Sequence, residues 1–262
     1  MMDLPRVNAA TTAQTSANWA DLAAELDRWG EAGRVVTLWL RDDDATEPSR
    51  ALDDFLSVTV NIPLGLAVIP AAARPELADR LAEESCVAVL QHGWRHANRA
   101  PEGKKSEYPV GRDPAQVDAE IAAGTARLAA LFGRRSVPVF VPPWNRLAPE
   151  FLPLLPWLGI AAVSAMASRH RPPATPAGLV AIDVHVDLIA WHEGRKFVGE
   201  DAAIAAILEH LRTRRETGDA PLGILTHHLV MDTAALEFLA RFLAVTRVHP
   251  AVRWAAIADL LP

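Results

Sequence analysis

The chain has 262 residues and a formal net charge of −6, a balance that provides no basic field for nucleic acid or for an anionic membrane surface. Half of its residues are hydrophobic, enough for a large core, yet no stretch reaches the ~18 apolar residues of a membrane span. One cysteine, Cys86, excludes an internal disulfide, and its apolar neighbours suggest a buried, inert thiol.

Residues 1–16 are polar and rich in small side chains, without a cationic start and apolar stretch, so no leader is expected and the cytoplasm is the expected compartment. Ser16 then reads as a helix N-cap, with Trp19, Leu22, Leu26 and Trp29 on one face and Gly30 and Gly33 as the stop. The first strong strand covers 35–40, followed by a helix near 49–56 and a strand over 64–69 that ends at Pro70. Pro75 opens a helix to about residue 84, and a strand over 87–90 leads to His92. Pro101, Gly103, Pro109 and Gly111 mark 97–112 as loop. Asp113 caps a long helix whose stripe is Val117, Ile121, Leu128 and Leu131 and whose stop is Gly133. A strand over 137–141 ends at Pro142-Pro143. A short helix over 149–158, a short strand over 160–164, a loop over 168–178 and a strand over 179–186 follow. A helix over 202–214, a strand over 222–226, a helix over 233–245 and a strand over 252–254 complete the chain.

Strands alternate with helices at βαβ spacing, which predicts a parallel sheet covered by helices. Polar residues cluster just after the strands: Asp42–Asp44, His92 and His96, Trp144 and Asn145, Asp187, and His227 and His228. A closed α/β barrel gathers such positions on its C-terminal face; an open doubly wound sheet gathers them at one edge. The number of strands with polar ends favours the barrel.

Asp42-Asp43-Asp44 is the most informative feature. Three adjacent acids repel one another, and a metal-assisted hydrolase uses one carboxylate on the ion and a second as proton acceptor; a solvated acidic turn is the alternative. His92 and His96 are four apart, so on a helical turn both imidazoles reach one ion. Two prolines stiffen the path into Trp144, which offers an aromatic face to a sugar ring. His227 or His228, after a strand, is a candidate general acid. Asp187 is an acid that could hydrogen-bond such a histidine, although a surface acid is the favoured reading.

In this order the pieces resemble the polysaccharide deacetylase family (carbohydrate esterase family 4), over about residues 35–261. The family's Thr-Phe-Asp-Asp-Gly motif is met by Leu40-Arg41-Asp42-Asp43-Asp44-Ala45. With Ala45 at the glycine, the resemblance makes Asp43 the catalytic base and Asp44 a metal ligand; a shift of one residue gives those roles to Asp42 and Asp43. His92-Gly93-Trp94-Arg95-His96 matches His-Ser/Thr-x-x-His, whose histidines hold the metal, with Gly93 in place of the hydroxyl residue. Val141-Pro142-Pro143-Trp144-Asn145 stands for Arg-Pro-Pro-Tyr-Gly, and Leu225-Thr226-His227 for the Leu-x-His that carries the catalytic histidine. Val141 replaces the arginine that orients the family's base; Arg41, Arg95 and Arg146 are the candidates to supply that charge.

The resemblance implies a distorted (β/α)7-type barrel in one domain over 1–262, with a core over about 35–261 and the helix at 17–30 packed on it. It implies a hydrolase that removes an acetyl group from an N-acetylated sugar, with a divalent metal, Zn2+ in the first instance, on Asp44, His92 and His96. Asp43 and His227 would be catalytic, and Pro143, Trp144, Asn145 and His228 would line the substrate site. The acidic composition favours a small molecule or oligosaccharide over a wall polymer. Hydrolysis of another small amide or a ring amide, and a silent metal- or sugar-binding relative, are the other readings.

Overall fold

The computed structural model describes residues 17–167, 175–218 and 220–262. The Ser16 cap and part of the loop over 168–178 fall outside them. The observed cap of the first helix, α1 (Trp19–Glu31), is Asn18, whose side chain accepts from the Asp21 amide while Asp21 answers the Asn18 amide.

Strand β1 (Val36–Ala45) is the centre of the fold and is longer than its apolar run. It is followed by α2 (Arg50–Val58), β2 (Leu64–Val68), α3 (Pro75–Arg80) and β3 (Val87–His92). Next come α4 (Pro114–Phe132), β4 (Ser136–Val141), the short α5 (Leu154–Trp157) and β5 (Ala162–Val163). Four short strands follow: β6 (Val180–Ala181), β7 (Val186–Asp187), β8 (Ile189–Ala190) and β9 (Lys196–Phe197). The chain ends with α6 (Glu200–Thr217), β10 (Leu222–Thr226), α7 (Thr233–Thr246) and β11 (Val252–Trp254). The β8–β9 hairpin is absent from the sequence reading, because two residues per strand leave no periodicity to read.

The main sheet runs β6-β5-β4-β3-β2-β1-β10-β7, all parallel, with β11 beside the first half of β1. The segment 180–187 joins its two edges. The Ile182 amide donates to the Val163 carbonyl on one side, and the His185 amide donates to Gly223 on the other. The sheet therefore curls into a barrel with seven strand positions, the distorted (β/α)7 form. Parallel strands covered on both faces are apolar throughout. Trp39, Leu90, Val139, Val141, Val184 and Leu225 fill the inside. Leu38, Leu40, Leu66 and Ile224 face outward onto Leu52, Phe55, Leu208 and Phe238 of the helices. Cys86 is half-buried at the mouth of β3, not fully enclosed as its neighbours suggested. Among the described residues no helix is long and apolar enough to cross a membrane.

Candidate active site

The C-terminal half of β1 holds four charged residues in a row, Arg41 to Asp44, and three of them are fully or almost fully buried. Alternation along the strand separates them. Asp42 lies on the outer face with Leu38 and Leu40, while Arg41 and Asp43 lie on the inner face with Trp39. A register shift against β2 falls between Asp42 and Ala45, and Asp44 takes φ 77°. This irregularity turns the Asp44 carboxylate, which strict alternation would send outward, toward the end of β3.

There it meets two imidazoles. Asp44 Oδ1 is 3.1 Å from His92 Nε2 and 3.4 Å from His96 Nε2. His92 closes β3, but His96 does not follow it on a helical turn as the four-residue spacing predicted. Gly93 (φ 57°) and His96 (φ 53°) bend an irregular loop back, and the rings end with centroids 5.0 Å apart. The tautomer of His92 follows from its surroundings. Its Nδ1 is 3.0 Å from the Val141 carbonyl, which can only accept, so Nδ1 carries a proton and Nε2 is the atom that faces Asp44, as a donor when the ring is charged and as a lone pair when it is neutral. A lone pair and a carboxylate oxygen at 3.1 Å repel unless a proton or a cation lies between them.

Charge on this cluster is shared accordingly. Burial works against ionised Asp44, but the His92 hydrogen bond and the charges of His92, His96 and His227 hold its carboxyl well below the usual range. Burial opposes a charged His92 too, yet Asp43 and Asp44 push its pKa up; His96 is pushed down by burial and then by His92. The three ligand atoms all lie within 4.8 Å of one another. Two ligands about 2.0–2.2 Å from a tetrahedral ion stand roughly 3.3–3.6 Å apart. The two Asp44 distances are close to that spacing, and the donor set of one carboxylate and two imidazoles suits a divalent ion.

Asp43 sits beside this cluster, gripped by Arg41. Arg41 Nε and Nη2 donate to the two Asp43 oxygens at 2.8 and 2.9 Å, a bidentate pair with both side chains buried. Arg41 Nη1 donates to the Ser164 carbonyl and hydroxyl at 3.0 and 2.8 Å, and Nη2 to Asn145 Oδ1 at 2.7 Å. His227 approaches from the end of β10, its Nε2 3.9 Å from Asp43 Oδ2. Trp191 packs edge-on against the His227 ring at 4.6 Å. Asp187 accepts from the Trp191 indole at 2.7 Å and the Ile189 amide at 2.9 Å, so it sets the tryptophan instead of hydrogen-bonding the histidine.

No family model and no curated sequence matches the chain; its likenesses are to solved structures. A Mycobacterium smegmatis protein classed as a polysaccharide deacetylase aligns at 16% identity with TM-score 0.67, over 87% of this chain and 89% of that one. The fold is that of the polysaccharide deacetylases. A family 4 carbohydrate esterase from Streptomyces lividans, solved with acetate, gives TM-score 0.54 at 18% identity over 85% and 93% of the two chains. Puue allantoinase gives 0.62 at 14% identity over 99% and 96%.

Compared with the polysaccharide deacetylase motifs, the missing arginine at Val141 is answered by Arg41, from a different strand; Arg146 instead donates to the Lys105 carbonyl at 2.9 Å. Asn145 stands where the motif has glycine and takes φ 57°, a left-handed conformation that asparagine tolerates. Its side-chain oxygen accepts from Arg41, and the residue is half-buried. Pro143 is buried beneath the loop, and half-buried Trp144 (φ 55°) lays its ring 4.2 Å from His96. His228 requires a correction. It is buried on the outer face near Phe55, with its amide donating to Asp42 Oδ2 at 2.9 Å and its Nδ1 hydrogen-bonded to Asp42 Oδ1. Burial opposes its charge, but Asp42 holds its pKa up. The pair anchors the end of β10 to β1 and offers no surface to a substrate. Ser164 and Glu107 have no local pattern that marks them.

Proposed function

We propose that this chain is a metal-dependent amide hydrolase that removes the acetyl group from an N-acetylated sugar, as a single domain acting on a small molecule or short oligosaccharide. The observation that carries the reading is the convergence of Asp44, His92 and His96 within 4.8 Å, beside a carboxylate held in a fixed orientation and a strand-end histidine. Asp44, His92 and His96 would hold the ion, and two imidazoles with one carboxylate suit Zn2+. When bound, such an ion polarises a carbonyl and acidifies water.

The chain's own residues supply the rest. Asp43, oriented on both oxygens by Arg41, takes a proton from the attacking water. His227, next to Asp43, gives a proton to the departing amine nitrogen as the C–N bond breaks, so the products are acetate and the free amino sugar. Trp191, set by Asp187, keeps the His227 ring in place. Trp144 forms an apolar wall above His96.

The test is acetate release from N-acetylglucosamine oligomers by the Zn2+-loaded chain. Asp43→Asn and His227→Ala should each reduce turnover by ~10²–10⁴. Full activity in both variants rejects the assignment. A ring amide is the second reading, favoured by the allantoinase, which aligns with 99% of this chain where the esterase aligns with 85%. Ring opening without acetate release, lost in the same variants, would select it.

A further inference from the structure

The loop that carries His96 is held by an acid outside the cluster described above. Glu107, at 1% exposure, turns its carboxylate into the bend of residues 93–97. Oε1 accepts from the amides of Arg95 at 2.8 Å and Ala97 at 3.4 Å; Oε2 accepts from Trp94 at 3.1 Å and His96 at 3.3 Å. Four successive main-chain N–H groups thus converge on one carboxylate, a concave arrangement that suits an anion. Gly93 opens this bend. A Cβ there would stand 2.2 Å from Glu107 Oε2 and 2.5 Å from Pro143 Cγ, so any side chain at position 93 collides with the acid or with the proline wall. The other side of the loop is tied as well. The Gly93 amide donates to Val141 at 3.1 Å, and Gln91 Nε2 donates to the Gly93 carbonyl at 3.2 Å and to Ile121 of α4 at 3.0 Å.

We propose that Glu107 is the positioning residue of this loop. It replaces the hydroxyl side chain that the family motif places after the first histidine, and Gly93 is glycine because the carboxylate occupies that space. The loop needs such a fastening, since His96 itself adopts φ 53° and would relax toward an ordinary conformation if its amide were released. Glu107 does not touch the proposed ion. It fixes the backbone from which His96 reaches it, and this part rests on the metal reading given above.

The experiment compares wild type with Glu107→Gln, which keeps one acceptor oxygen and nearly the same shape. Amide hydrogen exchange is followed on the metal-free full chain, and Zn2+ affinity is measured by titration. Exchange at residues 94–97 should accelerate at least tenfold, with β1 and α4 unchanged, and Zn2+ affinity should fall about 10–100-fold. Unchanged exchange together with unchanged affinity overturns the proposal; so does faster exchange with unchanged affinity, which would make Glu107 a fastening with no bearing on the ligand. If Glu107→Gln is unfolded by far-UV circular dichroism, Glu107→Asp, which retains the charge one methylene short, is read in the same way. A wild-type chain that binds no Zn2+ overturns the metal reading itself, and this failure is distinguishable because it appears without any substitution.

Discussion

Replacing Arg41 with methionine removes five hydrogen bonds at once: two to Asp43, two to Ser164 and one to Asn145. The side chain is fully buried, and its partner carboxylate is only 3% exposed, so water cannot take its place. Deleting one member of a buried ion pair leaves the other uncompensated, at a cost of about 3–5 kcal/mol. That is a large part of the ~5–15 kcal/mol that holds a domain folded. The reasoning also fixes the sign of a second change. Asp43→Asn in the Arg41→Met background removes the stranded charge and should restore at least about 1 kcal/mol, although Asp43→Asn alone destabilises. Arg41→Lys keeps the charge but not the fork, so it should retain more stability than methionine while losing at least about tenfold in turnover. Urea unfolding in the presence of a chelator reads the stability terms free of metal linkage, and acetate release reads the orientation of Asp43. A loss below about 1 kcal/mol in Arg41→Met, or a double variant no more stable than that single one, would refute the argument.

Metal removal should act on stability as well as on rate: Zn2+ at a hundredfold excess over its Kd adds about 2.7 kcal/mol, visible in a melting curve as a rise of roughly 5–10 °C that His92→Ala abolishes. Burial, followed by the charges of Arg214 and His210, lowers the His185 pKa from 6.5 to about 3. The unfolded chain therefore binds a proton that the folded chain refuses, and stability falls as pH drops through that window, by at most about 1.4 kcal/mol per pH unit. His185→Asn keeps an acceptor for the Gly223 amide, 3.1 Å away, and should flatten the fall between pH 7 and pH 4; an unaltered slope in urea midpoints would rule it out. Asp42→Ala strips His228 and Thr226 of their common partner and should cost about 3–5 kcal/mol in chelator, yet leave the number of Zn2+ ions bound unchanged.

The order of strands and helices was legible because parallel strands covered on both faces are short apolar runs, and the polar residues after them stand out. The limits of that rule explain what was missed. The apolar run of β1 stops at Leu40, but the strand continues to Ala45, because partners as distant in sequence as Ser164 make buried charge tolerable there. Knowing that the strand continues is what separates Asp42 from Asp43. The spacing of His92 and His96 suggested a helix; the same proximity arises from two positive-φ residues and a carboxylate eleven residues beyond the second histidine. His227 and His228 could not be told apart by composition. Adjacent residues at a strand end face opposite ways, and only the contacts to Asp43 and to Asp42 assign the sides.

The two-sided use of β1 makes its length unforgiving. Loss of one residue between Leu38 and Arg41 would slide the charged tail back a step and exchange the sides of every group in it. The carboxylate now anchoring His228 would point into the cleft, and the one now beside His227 would be pressed against Phe55. The number of residues in this strand is therefore constrained as tightly as the identity of its charged ones.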